Sequence, residues 1–293
     1  MVGLPDILST DGQHLFMRAQ QFALVGQRLE LAPRNFASAG LAPTQRGEGA
    51  HLFSPTGFLD DTWWHRSYWI YGRSFGEGSG GWPLAGRVTP GGRLPAMNDQ
   101  TVFGYGRRPD TYKWTTPIAY HLFAASKQQP AHAKPVTARD SARPQAPTGA
   151  LSKAAAPKAG KAKKARRLPQ GDLNPLIAHN QVDYDWSQAI PLQVRTMVLA
   201  QDTLFIAGPP EVVDEENAFA HPLDQALQAK LKEQDEIQQG AQGFSLWAVN
   251  ASDGCKLAEY HFDSVPVFDS LIAAQGRLCL ATVDGKVLCL KRK

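Results

Sequence analysis

The chain has 293 residues, 43% of them hydrophobic, and its 26 glycines and 21 prolines favour many turns and short strands over long helices. Its net charge of +4 combines one strongly basic segment with a mildly acidic remainder, which argues against a uniformly basic nucleic-acid-binding protein. No apolar run approaches the roughly 20 residues of a transmembrane helix. The three cysteines lack a C-x-x-C spacing, which argues against a disulfide framework or a zinc site.

Residues 1–126 alternate short apolar runs with Gly, Asp and Pro turns, which is the pattern of short strands. Residues 1–13 have neither the basic region nor the apolar region of a signal peptide. We therefore expect a cytoplasmic protein, or a periplasmic or extracellular one if a signal peptide lies upstream of Met1.

The densest aromatic stretch is residues 58–72, FLDDTWWHRSYWIYG. In a strand, alternate side chains share a face, so His65 would lie on one face and Arg66 on the other, each among aromatic side chains. One interpretation is a core strand whose aspartates tie a corner by hydrogen bonds to Arg or His. The other is a pocket whose aromatic faces stack on sugars or quinone-like rings. The candidate ligand-binding residues are Asp60, Asp61, Trp64, His65, Arg66, Tyr68 and Trp69.

Residues 72–82 are glycine-rich but lack the G-x-x-x-x-G-K-[ST] pattern of a phosphate-binding loop, so we expect a flexible loop beside the aromatic stretch. His51, His65 and His121 fall in separate predicted strands without ligand spacing. No G-x-S-x-G nucleophile elbow occurs. We therefore assign no catalytic residue and no metal ligand.

Residues 127–176 are rich in Ala, Lys and Pro and have almost no large apolar side chains. Such a segment cannot bury enough surface to offset its chain entropy, so we predict a disordered insertion. The alternative is a basic patch for anionic polymers, although no aromatic side chain is interleaved for base stacking, so nucleic acid is not the expected partner. The residues of that patch are Lys161, Lys163, Lys164, Arg166 and Arg167.

Residues 177–293 return to strands of about five residues bounded by Asp-Gly or Gly turns, as in hairpins. Between them, leucines spaced at i, i+4 predict one inserted helix over about residues 223–239, starting near Pro222 and ending near Gly240.

Cys255, Cys279 and Cys289 are expected to be small buried hydrophobic residues. A Cys279–Cys289 disulfide is the alternative if the protein is exported.

A weak internal repeat, in which a polar turn leads into an apolar strand, suggests a propeller of about four blades. The repeated phrases occupy residues 10–17, 99–104, 201–206 and 274–280. A closed ring usually needs more blades, so we expect either the C-terminal portion of a longer propeller or a small incomplete one.

Residues 246–257, LWAVNASDGCKL, resemble the repeat A-x-D-x-x-T-G-K-x-x-W of quinoprotein-like (PQQ-like) β-propellers, and residues 281–290 resemble the strand–turn–strand of a next repeat. That bacterial superfamily includes alcohol dehydrogenases that use pyrroloquinoline quinone and an outer-membrane assembly lipoprotein. The tryptophan that docks between blades is missing after Lys256, where Tyr260 or Phe262 could replace it. The vicinal cysteine pair and the calcium ligands of the redox members are also missing, so the resemblance implies the fold and not the redox chemistry.

The sequence thus predicts an all-β propeller domain in two parts, residues 1–126 and 177–293, joined by the basic insertion. The expected function is non-catalytic binding or scaffolding, with a protein or carbohydrate ligand and no cofactor. The alternative is a quinoprotein-type oxidoreductase or a carbohydrate-active enzyme using the same pocket, with pyrroloquinoline quinone and calcium implied by resemblance only.

Overall fold

The computed structural model describes residues 7–17, 20–29, 50–54, 68–72, 86, 89–107, 120–128 and 182–291. Within these residues the fold is mostly β, as predicted, with five small antiparallel sheets and two helices. Neither of the described helices is long and apolar enough to cross a membrane.

The sheets follow one another along the chain. The first sheet contains β1 (Leu8–Thr10), β2 (His14–Met17) and β3 (Gln20–Ala23). The second contains β4 (His51–Phe53), β5 (Trp69–Gly72) and β6 (Gly91–Gly92). The third contains β7 (Leu94–Met97), β8 (Thr101–Arg107), β9 (Tyr120–Ser126) and β10 (Tyr184–Gln188). The fourth contains β11 (Thr196–Ala200), β12 (Thr203–Gly208), β13 (Phe244–Asn250) and β14 (Lys256–Phe262). The fifth contains β15 (Pro266–Ala274), β16 (Arg277–Thr282) and β17 (Val287–Lys291).

Every sheet is a meander in which the strands pair in chain order. The four repeated phrases of the sequence all occupy the same place, since they lead into or cover β2, β8, β12 and β16, the second strands of their sheets. Tight turns enter three of these strands, with positive φ at Gly12 (86°), Gln201 (54°) and Gln275 (50°). The second sheet has no such phrase because residues 54–68, rather than a short turn, separate β4 from β5.

The fourth sheet is covered on both faces. On β12, Leu204 and Ile206 pack into a buried cluster with residues of the third sheet. The alternating residues Phe205 and Ala207 pack against the fifth sheet. Successive side chains of a strand point to opposite faces, so a strand in a sheet that lies between two other sheets needs apolar side chains at all of these positions.

The other neighbouring sheets also contact one another. The His51 ring stacks on Phe16 with centroids 3.9 Å apart, and the Ser9 hydroxyl donates to the Leu52 carbonyl, which joins the first and second sheets. The second and third sheets are joined by one continuous segment, because β6 leads through a bend at Arg93 directly into β7.

The first strands of several sheets lie side by side. Strand β11 contacts both β7 and β15, and β1 contacts β4. First strands therefore meet where the first sheet contacts the second, the third contacts the fourth and the fourth contacts the fifth.

A tryptophan ties the third sheet to the fourth. The Trp186 indole N–H donates to the Ala251 carbonyl at 2.9 Å, and the Gln188 amide donates to the Gly254 carbonyl at 2.7 Å. A Cβ at Gly254 would lie 2.8 Å from the Trp186 ring, and the φ of Gly254 is +77°, so this turn requires glycine.

The two residues predicted to replace the missing tryptophan after Lys256 differ in their surroundings. Tyr260 is exposed, and Phe262 stacks on Phe244 at 4.9 Å beside the core shared with the fifth sheet.

Two helices lie between β12 and β13: α1 (Glu215–Ala220) and α2 (Gln225–Gln238). The second confirms the predicted helix, although it starts after Asp224, whose carboxylate accepts from the Ala226 N–H at 2.8 Å. The prediction of a single helix was incomplete, because a six-residue helix is too short to show periodicity.

The three cysteines are free thiols. The prediction that the cysteines are buried is wrong for Cys255 and Cys289, which are exposed, whereas Cys279 is half-buried. Cys289 is exposed because Leu288 and Leu290 occupy the core-facing positions of β17. The predicted basic insertion lies outside the described residues beyond Gln128.

Candidate functional site

A buried arginine lies where the second, third and fifth sheets meet. Arg93 separates β6 from β7 and is 1% exposed. Its guanidinium carbon lies 5.2 Å from the ring centroid of Tyr68 and 5.4 Å from that of Phe268. The two rings are 5.7 Å apart at 60°. We call Tyr68, Arg93 and Phe268 the Arg93 cluster.

The backbone of Arg93 is fixed by its N–H, which donates to the Tyr105 carbonyl at 2.8 Å. Gly92 allows this close approach, since a Cβ there would lie 2.6 Å from the same carbonyl oxygen. A desolvated cation between two aromatic faces is stabilised by about 2 kcal/mol or more by the ring quadrupoles. The cluster therefore holds a positive charge at the convergence of the sheets.

Tyr105 stays neutral beside this charge. Burial raises the pKa of its phenol well above the usual value, with further increases from Glu211 and Tyr120, whereas Arg93 lowers it. The neutral hydroxyl donates to the Leu192 carbonyl at 3.1 Å and links the third sheet to the segment entering the fourth.

The fourth and fifth sheets complete the surroundings through a bulge in β15, where the register shifts between Pro266 and Leu271. Asp269 lies in this bulge with a φ of +54°, and its N–H donates to the Arg195 carbonyl at 2.8 Å. The Arg195 Nε donates to the Pro266 carbonyl at 3.0 Å. The bulge thereby turns Phe268 toward Arg93.

The Asp269 carboxyl is a second polar group of this region. The residue is exposed to solvent, yet surrounding protein raises its pKa by desolvation. An accessible carboxyl of this kind can accept hydrogen bonds from ligand hydroxyls or amides.

A narrow crevice separates the second and third sheets. Trp69, Tyr71, Phe103 and Phe123 are among its lining residues. Its cavity volume of about 10 Å³ has room for about one water molecule. Ligand binding at this crevice would therefore involve its outer, aromatic rim or a widening of the gap.

Two of the seven predicted ligand-binding residues are described. Tyr68 is fully buried in the Arg93 cluster, and Trp69 is half-buried on the crevice. The others, Asp60, Asp61, Trp64, His65 and Arg66, lie outside the described residues, as do Lys161, Lys163, Lys164, Arg166 and Arg167. Their roles stay predictions.

Sequence reasoning missed Arg93, Phe268 and Asp269. The phrase Gly91-Gly92-Arg93 was a possible signal, since two glycines before an arginine in an otherwise apolar run mark a close backbone approach. Nothing in the sequence announced the β15 bulge.

Two of the three histidines considered as metal ligands, His51 and His121, are described, and they lie in different sheets. His51 stacks on Phe16, whereas His121 packs against Phe123, and its Nδ1 is 2.6 Å from the Ser187 hydroxyl. Among the described residues, no three His, Cys, Asp or Glu side chains are grouped to hold a metal ion.

Comparison with known proteins gives no relative on which to base a function, since no protein-family model and no curated protein matches the chain.

Proposed function

We propose that the chain is a non-catalytic binding or scaffold β-propeller with PQQ-like repeats, each small sheet forming one blade of a complete or partial propeller. Three features support this architecture: meander sheets in chain order, contacts between first strands of neighbouring sheets, and a fourth sheet covered on both faces.

The inter-sheet tryptophan supports the resemblance to PQQ-like repeats. Trp186 contacts Ala251 and Gly254, which lie in the segment, residues 246–257, that resembles the family repeat. Docking of a tryptophan between neighbouring blades is what that resemblance implies.

We propose that the ligand binds where the aromatic stretch approaches the inner strands, near His65, Arg66 and Trp69. The Arg93 cluster is the observation that carries this assignment, because it anchors Tyr68, two residues after Arg66, at the convergence of the sheets. Aromatic faces beside fixed charges suit carbohydrate, whose C–H faces stack on rings while its hydroxyls hydrogen-bond to charged groups. A protein ligand is the other class that this surface would serve.

The test is isothermal titration calorimetry of the full chain with soluble cello-, chito- and laminari-hexaose. We expect saturable binding to one of them, lost in Trp69→Ala and retained in Tyr260→Ala, an exposed aromatic residue elsewhere. Circular dichroism would check that both variants fold. Failure of all three sugars to bind, or equal loss in both variants, would overturn the carbohydrate assignment.

The non-catalytic part of the proposal has separate tests. Release of new reducing ends from the bound sugar, abolished by His65→Ala, would show a carbohydrate-active enzyme instead. A change in visible absorbance on adding pyrroloquinoline quinone with calcium would show quinone binding and contradict the proposal.

A further inference from the structure

We propose that Cys279 and Cys289 form a reactive dithiol site that low-molecular-weight disulfides oxidise to a cross-strand disulfide. The proposal is independent of the ligand-binding function. It concerns the outer face of the fifth sheet, on the side away from the core shared with the fourth.

The hairpin register puts the two cysteines directly opposite each other. Cys279 on β16 pairs with Cys289 on β17. The Thr282 N–H donates to the Lys286 carbonyl at 2.9 Å, so the pair that closes the turn is hydrogen-bonded. Pairs alternate along an antiparallel ladder, which makes 279–289 a non-hydrogen-bonded pair.

This type of pair has the geometry of a disulfide. Directly opposite residues in non-hydrogen-bonded pairs have Cα atoms about 4.5 Å apart, and a disulfide needs roughly 4.4–6.8 Å. Closing the bond therefore requires side-chain rotation and little backbone movement.

Both sulfurs lie on the same, outer face. The core-facing positions beside them are Leu278 and Leu280 on β16 and Leu288 and Leu290 on β17, which pack against the fourth sheet. A hydrogen bond between the two thiols, together with burial, raises the pKa of Cys279. Cys289 is exposed and is the sulfur that an incoming reagent reaches first.

The flanking charges suit an anionic disulfide. Arg277 and Lys291 form the cross-strand pair two positions from the cysteines on the same face. Both are exposed. Their positive charges attract a carboxylate-bearing reagent such as glutathione disulfide.

The reaction balances without any metal or further oxidant. The Cys289 thiol loses its proton, and the thiolate attacks one sulfur of glutathione disulfide, forming a mixed disulfide and releasing a glutathione thiolate that takes up a proton. The Cys279 thiolate then attacks the Cys289 sulfur, forming the cross-strand disulfide and releasing the second glutathione. The protein pair is oxidised, and one glutathione disulfide is reduced to two thiols.

The test uses the full chain in a series of glutathione redox buffers, followed by trapping of free thiols with N-ethylmaleimide and peptide mass spectrometry. We expect Cys279 and Cys289 to lose their alkylation together. Cys255, exposed but without a partner cysteine in register, is the internal control. Proximity should let the pair close at glutathione disulfide concentrations at least about tenfold below those that modify Cys255.

Two variants give the matched comparison. Cys279→Ser should convert the product at Cys289 from an intrachain disulfide to a stable mixed disulfide with glutathione, whereas Cys255→Ser should leave closure of the pair unchanged. Circular dichroism would confirm folding. Equal modification of all three cysteines, or disulfide-linked dimers instead of the intrachain bond, would overturn the proposal.

Discussion

Arg93 shows how one buried charge organises several sheets. Its guanidinium lies against Tyr68 from the second sheet and Phe268 from the fifth, while its backbone pairs with Tyr105 of the third. Water does not screen the attraction between this buried cation and the two rings, so the contact is stronger than an exposed pair of the same kind, which is worth only about 0.5–1 kcal/mol.

We expect Arg93→Ala to lower the free energy of unfolding by about 3–5 kcal/mol, because it combines a cavity with the loss of cation–π contacts. Arg93→Met should lose less, since it keeps most of the volume. Urea unfolding measures both. The exposed Arg277→Ala is the control and should change stability by no more than about 0.5 kcal/mol. If Arg93→Ala lowered the free energy of unfolding no more than Arg277→Ala does, the Arg93 cluster would not hold the sheets together.

Gly254 offers a second prediction, because its conformation and its contact with Trp186 can be separated. Gly285 has a similar φ of +81° but open space around its Cβ position, whereas a Cβ at Gly254 would meet the Trp186 ring at 2.8 Å. We expect Gly285→Ala to cost about 1–2 kcal/mol for the backbone alone. Gly254→Ala should cost about 1–3 kcal/mol more, from overpacking.

A double-mutant cycle checks this cause. In a Trp186→Ala background the extra cost of Gly254→Ala should largely disappear, because the clash is gone. Additive costs would mean that the ring is not what demands glycine at this turn.

At the scale of the element, turn chemistry explains the most predictable parts of the fold. Asp-Gly and Gln-Gly phrases mark hairpins because their residues tolerate positive φ, and the second strands they introduce were recognisable from sequence. The helix α2 was equally readable from its leucine spacing. The bulge in β15 was not, because the polar pair Asp269-Ser270 within residues 267–273 gives no sign of the register shift that it accompanies.

The β16–β17 turn predicts a specific acid sensitivity. The Asp284 carboxylate accepts from the Lys286 ammonium at 2.7 Å and from the Thr282 hydroxyl at 2.5 Å, and these bonds lower the pKa of Asp284 well below its usual value. A carboxyl whose pKa is lowered by folding stabilises the folded protein at pH values above its unfolded-state pKa of about 3.9. This stabilisation is lost as the pH falls toward the pKa of the folded state.

We therefore expect the wild type to lose more stability between about pH 6 and pH 2 than Asp284→Asn, which has no carboxylate to protonate. Lys286→Met removes the larger cause of the pKa shift and should be intermediate. Urea unfolding across this range measures the difference. Identical acid dependence in the wild type and Asp284→Asn would contradict the assignment.

At the scale of the whole molecule, the sequence predicts the units better than their assembly. Periodicity and turns depend on neighbours along the chain, so the β class and the repeated second strands could be recognised. The contacts that join sheets link residues far apart, such as Tyr68 with Phe268 and Trp186 with Ala251. The candidate site could therefore be predicted only in part. Tyr68 and Trp69 were selected because they lie in an aromatic stretch, but the buried Arg93 beside Tyr68 was not selected.

The strands differ in how completely their neighbours cover them, so we expect local stability to differ between the sheets. Strands β12 and β13 have neighbours on both sides within the fourth sheet, and neighbouring sheets cover both faces of that sheet. Strand β14 is the outer edge of the same sheet and is largely exposed. The first sheet has few fully buried side chains, Phe16 being its buried core residue. Amide exchange reports the free energy of the opening that exposes each N–H.

We expect hydrogen exchange followed by mass spectrometry to be slowest in peptides covering residues 203–208 and 244–250. Residues 256–262 should exchange faster despite pairing with β13, and residues 8–23 fastest, because their opening exposes the least apolar surface. Trp186→Ala should accelerate exchange in the turn at residues 251–254 more than in β16, since its contacts lie at that turn. Uniform protection across all five sheets would instead mean that they open as one cooperative unit, in which case the junctions between sheets would be as strong as the hydrogen-bonded ladders within them.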